Sequence, residues 1–164
     1  MRTLAHLSAL AAIVSFAVAA PVTADEATWA REANDRAEIQ ALMWRYERAL
    51  DTLDIDAYVA VFTQDAQFGN AKGREGIRAL IAGIKAAREK NAEPGKPPVQ
   101  TYQSITNMTI EFQSETRAKV EGYFMAILAA TANNPPRVAT VGHEIDEVVK
   151  VDGRWLIAVR TVSP

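Results

Sequence analysis

The side chains that could do chemistry here are few, and that scarcity narrows the options. Of two histidines, His6 lies in an apolar N-terminal stretch, which leaves His143 as the one later group that titrates near neutrality unaided. Cysteine is absent, so thiol nucleophiles, Cys-ligated zinc and iron–sulfur clusters are excluded. One histidine cannot build a multi-His metal centre within a chain, and no metal site is expected. Carboxylates, phenols and arginines remain. Asp51 ends an amphipathic stretch in which Tyr46 stands on the apolar stripe. A carboxylate in an apolar pocket is pushed up in pKa and can then give or take a proton. Asp51-Thr52-Leu53-Asp54 is also a common turn texture, in which Asp51 merely caps. Both readings stand.

Tyr46 is equally at home packing in a core or turning its hydroxyl into a pocket, since a buried phenol needs a partner. Tyr58, Tyr102 and Tyr123 share that ambiguity, and Trp44 is placed to line a pocket mouth. His143 alternates with Val141, Ile145 and Val149, the more apolar face of its segment. It is either a core or subunit-interface histidine or a general base. Glu144 and Asp146 share the opposite face with Thr140 and Val148. They are either solvated sheet polarity or carboxylates sharing a pocket, which would push one pKa upward. Glu121 poses the same question.

The elements that must position these groups follow from periodicity. Ala27 to Ala33 reads as a short helical lead-in, and Asn34 or Asp35 can cap a helix to about Leu50, with Ile39, Leu42, Met43, Tyr46 and Leu50 spaced three and four apart. Asp54 or Asp56 starts a short helix through Tyr58, Val59 and Phe62. Thr63-Gln64-Asp65 reads as a turn, and Ala66-Gln67-Phe68 as an extended piece. Gly73 to Lys90 is a third helix, closed by Asn91 and the loop around Pro94-Gly95-Lys96-Pro97-Pro98, a connector or a pocket lid. Four long strands follow: Val99 to Phe112, Ala118 to Thr131, Val138 to Val151 and Arg154 to Val162, the last two joined at Asp152-Gly153, a strong hairpin signal. Helices followed by strands predict an α+β fold, a curved antiparallel sheet packed against three N-terminal helices. A sheet so curved makes a cone with a pocket at its open end.

Residues 1–24 read as a cleavable signal peptide: Arg2, then the apolar run Leu7 to Ala20, then small residues before Asp25. The run is short for a membrane span. Export to the periplasm or medium is expected, with no stable membrane insertion after cleavage. Residues 25–164 then form one domain, and losing Arg2 with no acid moves the formal charge from −2 to about −3. Without a Lys/Arg tract, nucleic acid is not an expected partner. No Gly-rich phosphate loop is present.

The order of several pieces resembles the SnoaL-like family of the nuclear-transport-factor-2-like superfamily. They are Asp35-Arg36-Ala37-Glu38-Ile39 through Ala49-Leu50-Asp51, Asp54-Ile55-Asp56-Ala57, Val61-Phe62-Thr63-Gln64-Asp65-Ala66, Gly73-Arg74-Glu75-Gly76-Ile77, Thr106-Asn107, and Asp152-Gly153-Arg154-Trp155-Leu156-Ile157-Ala158 with Arg160. The resemblance implies the cone-shaped fold. It implies a cofactor-independent lyase or isomerase acting on a small hydrophobic or aromatic molecule, by dehydratase-like proton transfer or retro-aldol cleavage. It places Asp51 at the acid position ending the first helix and Tyr46 at a polar position five residues earlier. Gln103 stands where the catalytic histidine of such lyases usually lies, and glutamine cannot take a proton near neutral pH. Arg160 is placed to hold a substrate oxygen or leaving group, and His143 to supply the base that Gln103 cannot. Catalysis is thus expected from Asp51, Tyr46, His143 and Arg160, and substrate contacts from Gln103, Trp44, Tyr58 and Tyr123. The alternative is an exported, non-catalytic ligand-binding or oligomerisation domain. The resemblance also implies a homodimer or homotrimer.

Overall fold

The computed structural model describes residues 23–164. All but the last two residues of the expected leader lie outside them. α1 runs Ala24–Thr52, started by a capping box in which Thr23 Oγ1 accepts from the Glu26 backbone and the Glu26 carboxylate accepts from the Thr23 N–H at 2.8 Å. It is one helix where a lead-in and a second helix were expected, because Asp35 does not cap. Its carboxylate, 2% exposed, accepts from Trp155 Nε1 at 3.0 Å and pairs with Lys150. That fastens the middle of the helix to the sheet. Ile39, Leu42, Met43, Tyr46 and Ala49 form its buried stripe. Leu53 closes it in a left-handed conformation.

α2 (Ile55–Ala60) starts at Asp54, whose side chain accepts from the Ala57 N–H at 3.0 Å. β1 (Phe62–Phe68) follows at once, where a helix end and a turn were expected. It is recruited by the last strand: Ile157 N–H donates to Val61 O at 2.9 Å, and Phe62 and Phe68 register with Ile157 and Arg160. This pairing is parallel, so the sheet is mixed rather than wholly antiparallel. The two-residue β2 (Ala71–Lys72) leads into α3 (Gly73–Lys90), which buries Ile77 and Ile81.

β3 (Thr101–Ser114), β4 (Arg117–Leu128), β5 (Arg137–Val151) and β6 (Arg154–Ser163) form the expected antiparallel meander, and the six strands lie in the order β2-β1-β6-β5-β4-β3. Asp152 and Gly153 both take positive φ, as a two-residue hairpin turn with right-handed twist requires. Bulges bend the sheet: β3 shifts register around Asn107, itself at φ 52°, and β5/β6 shifts between Glu147 and Val148. Val120, Val148, Trp155 and Ile157 meet the helices on the inner face. Among the described residues no helix is long and apolar enough to cross a membrane. The α+β cone is the architecture expected.

Candidate active site

The inner face carries the chemistry at its open end. A cavity of 150 Å³ lies between α1, α3 and the sheet, with Leu50, Phe68, Ile84, Ile105, Phe124 and Val162 as apolar walls. Its polar groups are Tyr46 and Glu47 from α1, Tyr58 from α2, Gln103 from β3, Glu144 from β5 and Arg160 from β6.

Arg160 organises this end. It is 3% exposed, its Nη1 donates to both oxygens of Asp146 at 2.9 and 2.7 Å, and its Nη2 pairs with Glu144 Oε2. Both acids are 0% exposed, so three ionisable groups sit in a dry interior. The guanidinium also faces the Tyr46 and Phe68 rings. Two atoms of the cluster, Glu144 Oε1 and Arg160 Nε, are buried without a hydrogen-bond partner among the described residues. Native interiors rarely leave such atoms unsatisfied, so each calls for a partner, a water or a ligand group.

Burial pushes Asp146 up to about 6, opposed by Arg160 and reinforced by Glu144. Burial likewise raises the Tyr46 and Tyr58 phenols. The Tyr58 hydroxyl donates to that of Tyr46 at 3.2 Å, which leaves the Tyr46 O–H as a neutral donor at the wall. Glu47 is half-buried and its carboxylate accepts the Ile105 N–H at 2.6 Å. Burial raises its pKa, the Ile105 N–H opposes, and the nearby Glu144 and Asp51 charges add to the rise. A carboxyl so placed can exchange a proton with a molecule in the cavity.

The sequence-derived candidates divide. Tyr46, Tyr58, Gln103 and Arg160 meet at the cavity. Asp51 sits one turn beyond Glu47, outside the cavity lining. Its Oδ1 accepts the Gln103 N–H at 2.7 Å and ties α1 to β3. Burial raises its pKa, while the Gln103 N–H, Arg48 and Arg88 oppose the rise. His143 is half-exposed on the outer face, its ring 5.6 Å from that of Tyr123, which is 56% exposed. Trp44 lines an external groove of 430 Å³ beside Arg48 and Trp155. All four, Asp51, His143, Tyr123 and Trp44, lie outside the cavity lining. The Glu144 and Asp146 face is the buried one, and the His143 face is the outer one, the reverse of the apolar-face reading. Glu47 escaped sequence reasoning, although its signal is there: an acid set into the apolar stripe, four residues after Met43 and three before Leu50. Among the described residues no group of three or more His, Asp or Glu side chains has metal-ligating geometry.

Comparison with known proteins places the chain in a family. The profile of the SnoaL-like domain matches residues 31–161, and the chain belongs to that family. No curated protein matches the sequence. Among solved structures, a "putative scytalone dehydratase" from Novosphingobium aromaticivorans is 26% identical, with TM-score 0.64 over 83% of this chain and 89% of that one. A Catenulispora acidiphila protein crystallised in complex with S-DNPA is 25% identical, with TM-score 0.65 over 79% and 92% of the two chains. An NTF2-like protein with a cystatin-like fold, also from N. aromaticivorans, is 20% identical with TM-score 0.70 over 85% and 88%, and bears on the fold alone.

Proposed function

We propose that the cone is the active site of an acid–base lyase or isomerase acting on a small hydrophobic or aromatic molecule. The observation that carries this reading is the meeting of Glu47, Glu144 and Arg160 with two hydrogen-bonded phenols around one apolar-walled cavity. Apolar walls hold a ring. Glu47 moves the proton, and its raised pKa suits the task. The Tyr46 hydroxyl, which accepts from Tyr58, and the Gln103 side chain donate to a carbonyl or leaving hydroxyl as negative charge develops there. Arg160, clamped by two acids, keeps the electrostatic frame in place with no reorganisation. Kinship with the scytalone dehydratase-like structure supports elimination of water as the reaction.

The test is loss of substrate from a panel of cyclic and aromatic hydroxy compounds, with Glu47→Gln beside the native protein. The proposal requires turnover by the native chain and its collapse in the variant while the fold is kept. Equal turnover in both overturns it.

A binding domain that holds its ligand unchanged is the second reading. It is favoured by the placement of His143, the one imidazole among the described residues, outside the cavity. The proposal includes export, supported by the N-terminal sequence, and self-association through the outer face, supported by exposed Tyr123, Val138 and Val141.

A further inference from the structure

Resting on the reading of the cavity as the ligand site, we infer that it ranks ligands by head-group charge. It takes a one-ring molecule with an amine head over the matching alcohol and refuses the carboxylate, and Glu144 makes the choice.

The charge count drives this. Three carboxyl groups, Glu47 from α1 and Glu144 and Asp146 from β5, surround one guanidinium, that of Arg160 from β6. The phenols Tyr46 and Tyr58 complete the polar wall and carry no charge when protonated. Arg160 gives Nη1 to Asp146 and Nη2 to Glu144, so its charge is answered twice over. Its free Nε–H therefore does not make an anion site. The nearby Arg48 and Arg88 act on Asp51. The surplus is negative, and in a poorly solvated cavity it favours a cation and opposes an added anion.

Glu144 supplies the geometry. One of its oxygens is held by Arg160, while Oε1 is buried and unpartnered. That oxygen accepts only. An ammonium satisfies it with a hydrogen bond and an ion pair together, a hydroxyl with a hydrogen bond alone, and a carboxylate with neither. The body of the ligand is set by the walls: Leu50, Phe68, Ile84 and Phe124 enclose 150 Å³, and an apolar cavity of about this size holds a benzene ring.

The experiment is calorimetric titration of the full chain with benzylamine, benzyl alcohol and sodium benzoate. Benzylamine binds tightest and benzoate weakest, with at least about a tenfold gap between them. In Glu144→Gln the gap shrinks toward parity. Ile84→Trp, which fills the cavity, removes binding of all three. A second measurement does not depend on the Glu144 variant folding. At pH 6 benzylamine displaces a proton from the acidic cluster, so its binding heat changes with the ionisation heat of the buffer, whereas that of benzyl alcohol does not. Benzoate binding as tightly as benzylamine in the native chain, and lost in Ile84→Trp, overturns the inference and leaves the cavity as the ligand site. Binding that survives Ile84→Trp, or no binding at all, overturns both.

Discussion

The guanidinium of Arg160 lies 4.1 Å over the Tyr46 ring while its nitrogens hold two buried acids. One side chain thus joins the phenol of α1 to the carboxylates of β5. Such a residue cannot be removed quietly. Truncating one partner of a buried ionic cluster leaves the others uncompensated, at a cost of about 3–5 kcal/mol. Arg160→Leu is expected to lose stability of that size in urea unfolding at pH 7. Retention of native stability would mean that Glu144 and Asp146 do not need the guanidinium.

Stability should also depend on pH in a particular sense. Burial holds Asp146 at about 6 in the fold, against an ordinary aspartate value of 3.8. Between those limits the folded chain binds a proton that the unfolded chain has released. The contribution is fully present below about pH 4 and is lost as pH rises through about 6. It amounts to roughly 3 kcal/mol for a shift of this size. Asp146→Asn is expected to flatten that fall. Urea midpoints from pH 4 to 7 in both proteins check it, and equal slopes would refute the assignment.

The same residues show how far the sequence could be read. The stripe Ile39, Leu42, Met43, Tyr46 and the Asp152-Gly153 turn are local signals, so α1, the last hairpin and the meander were legible. The parallel pairing of β1 with β6 joins residues almost a hundred positions apart, and nothing local announces it. Arg160 is the sharper case. Val148 pairs with Ile157, so a ladder continued without interruption would set Arg160 opposite Ile145, on the outer face. A one-residue shift past Ala158 sets it opposite Asp146 and turns it inward. Resemblance marked Arg160 as functional, but only the bulge explains why it reaches the cavity. His143 shows the converse error: its neighbours Val141 and Ile145 look like a core stripe but coat the outside of the sheet, while the face bearing two acids is buried.

Gly142 shows how closely that curved sheet is packed at the cavity wall. A Cβ there would lie 2.3 Å from Ser163 O and 2.6 Å from the Phe124 ring. The first contact is with backbone, so the end of β6 must move. Gly142→Ala is expected to cost about 1–3 kcal/mol and to displace Phe124 into the cavity. Thermal unfolding with ligand titration checks both effects. By contrast Gly83→Ala, with open space around its Cβ on α3, should stabilise by up to about 1 kcal/mol.

Asp51 and Glu47 stand one helical turn apart, and a paired substitution separates their roles. Asp51 accepts a backbone N–H of β3, and an asparagine at 51 keeps an oxygen there to do the same. Asp51→Asn should therefore change stability by less than about 1 kcal/mol, while Asp51→Ala, which strands the Gln103 N–H, should cost about 1–3 kcal/mol. Glu47 also accepts a backbone N–H, from Ile105, but its carboxylate lines the cavity. In Glu47→Gln the fold keeps that hydrogen bond and the cavity loses its proton carrier. Turnover should fall by about 10²–10⁴-fold in Glu47→Gln, and by less than about tenfold in Asp51→Asn. The reverse ranking would return the proton-transfer role to Asp51 and leave Glu47 as the residue that fixes β3 to α1.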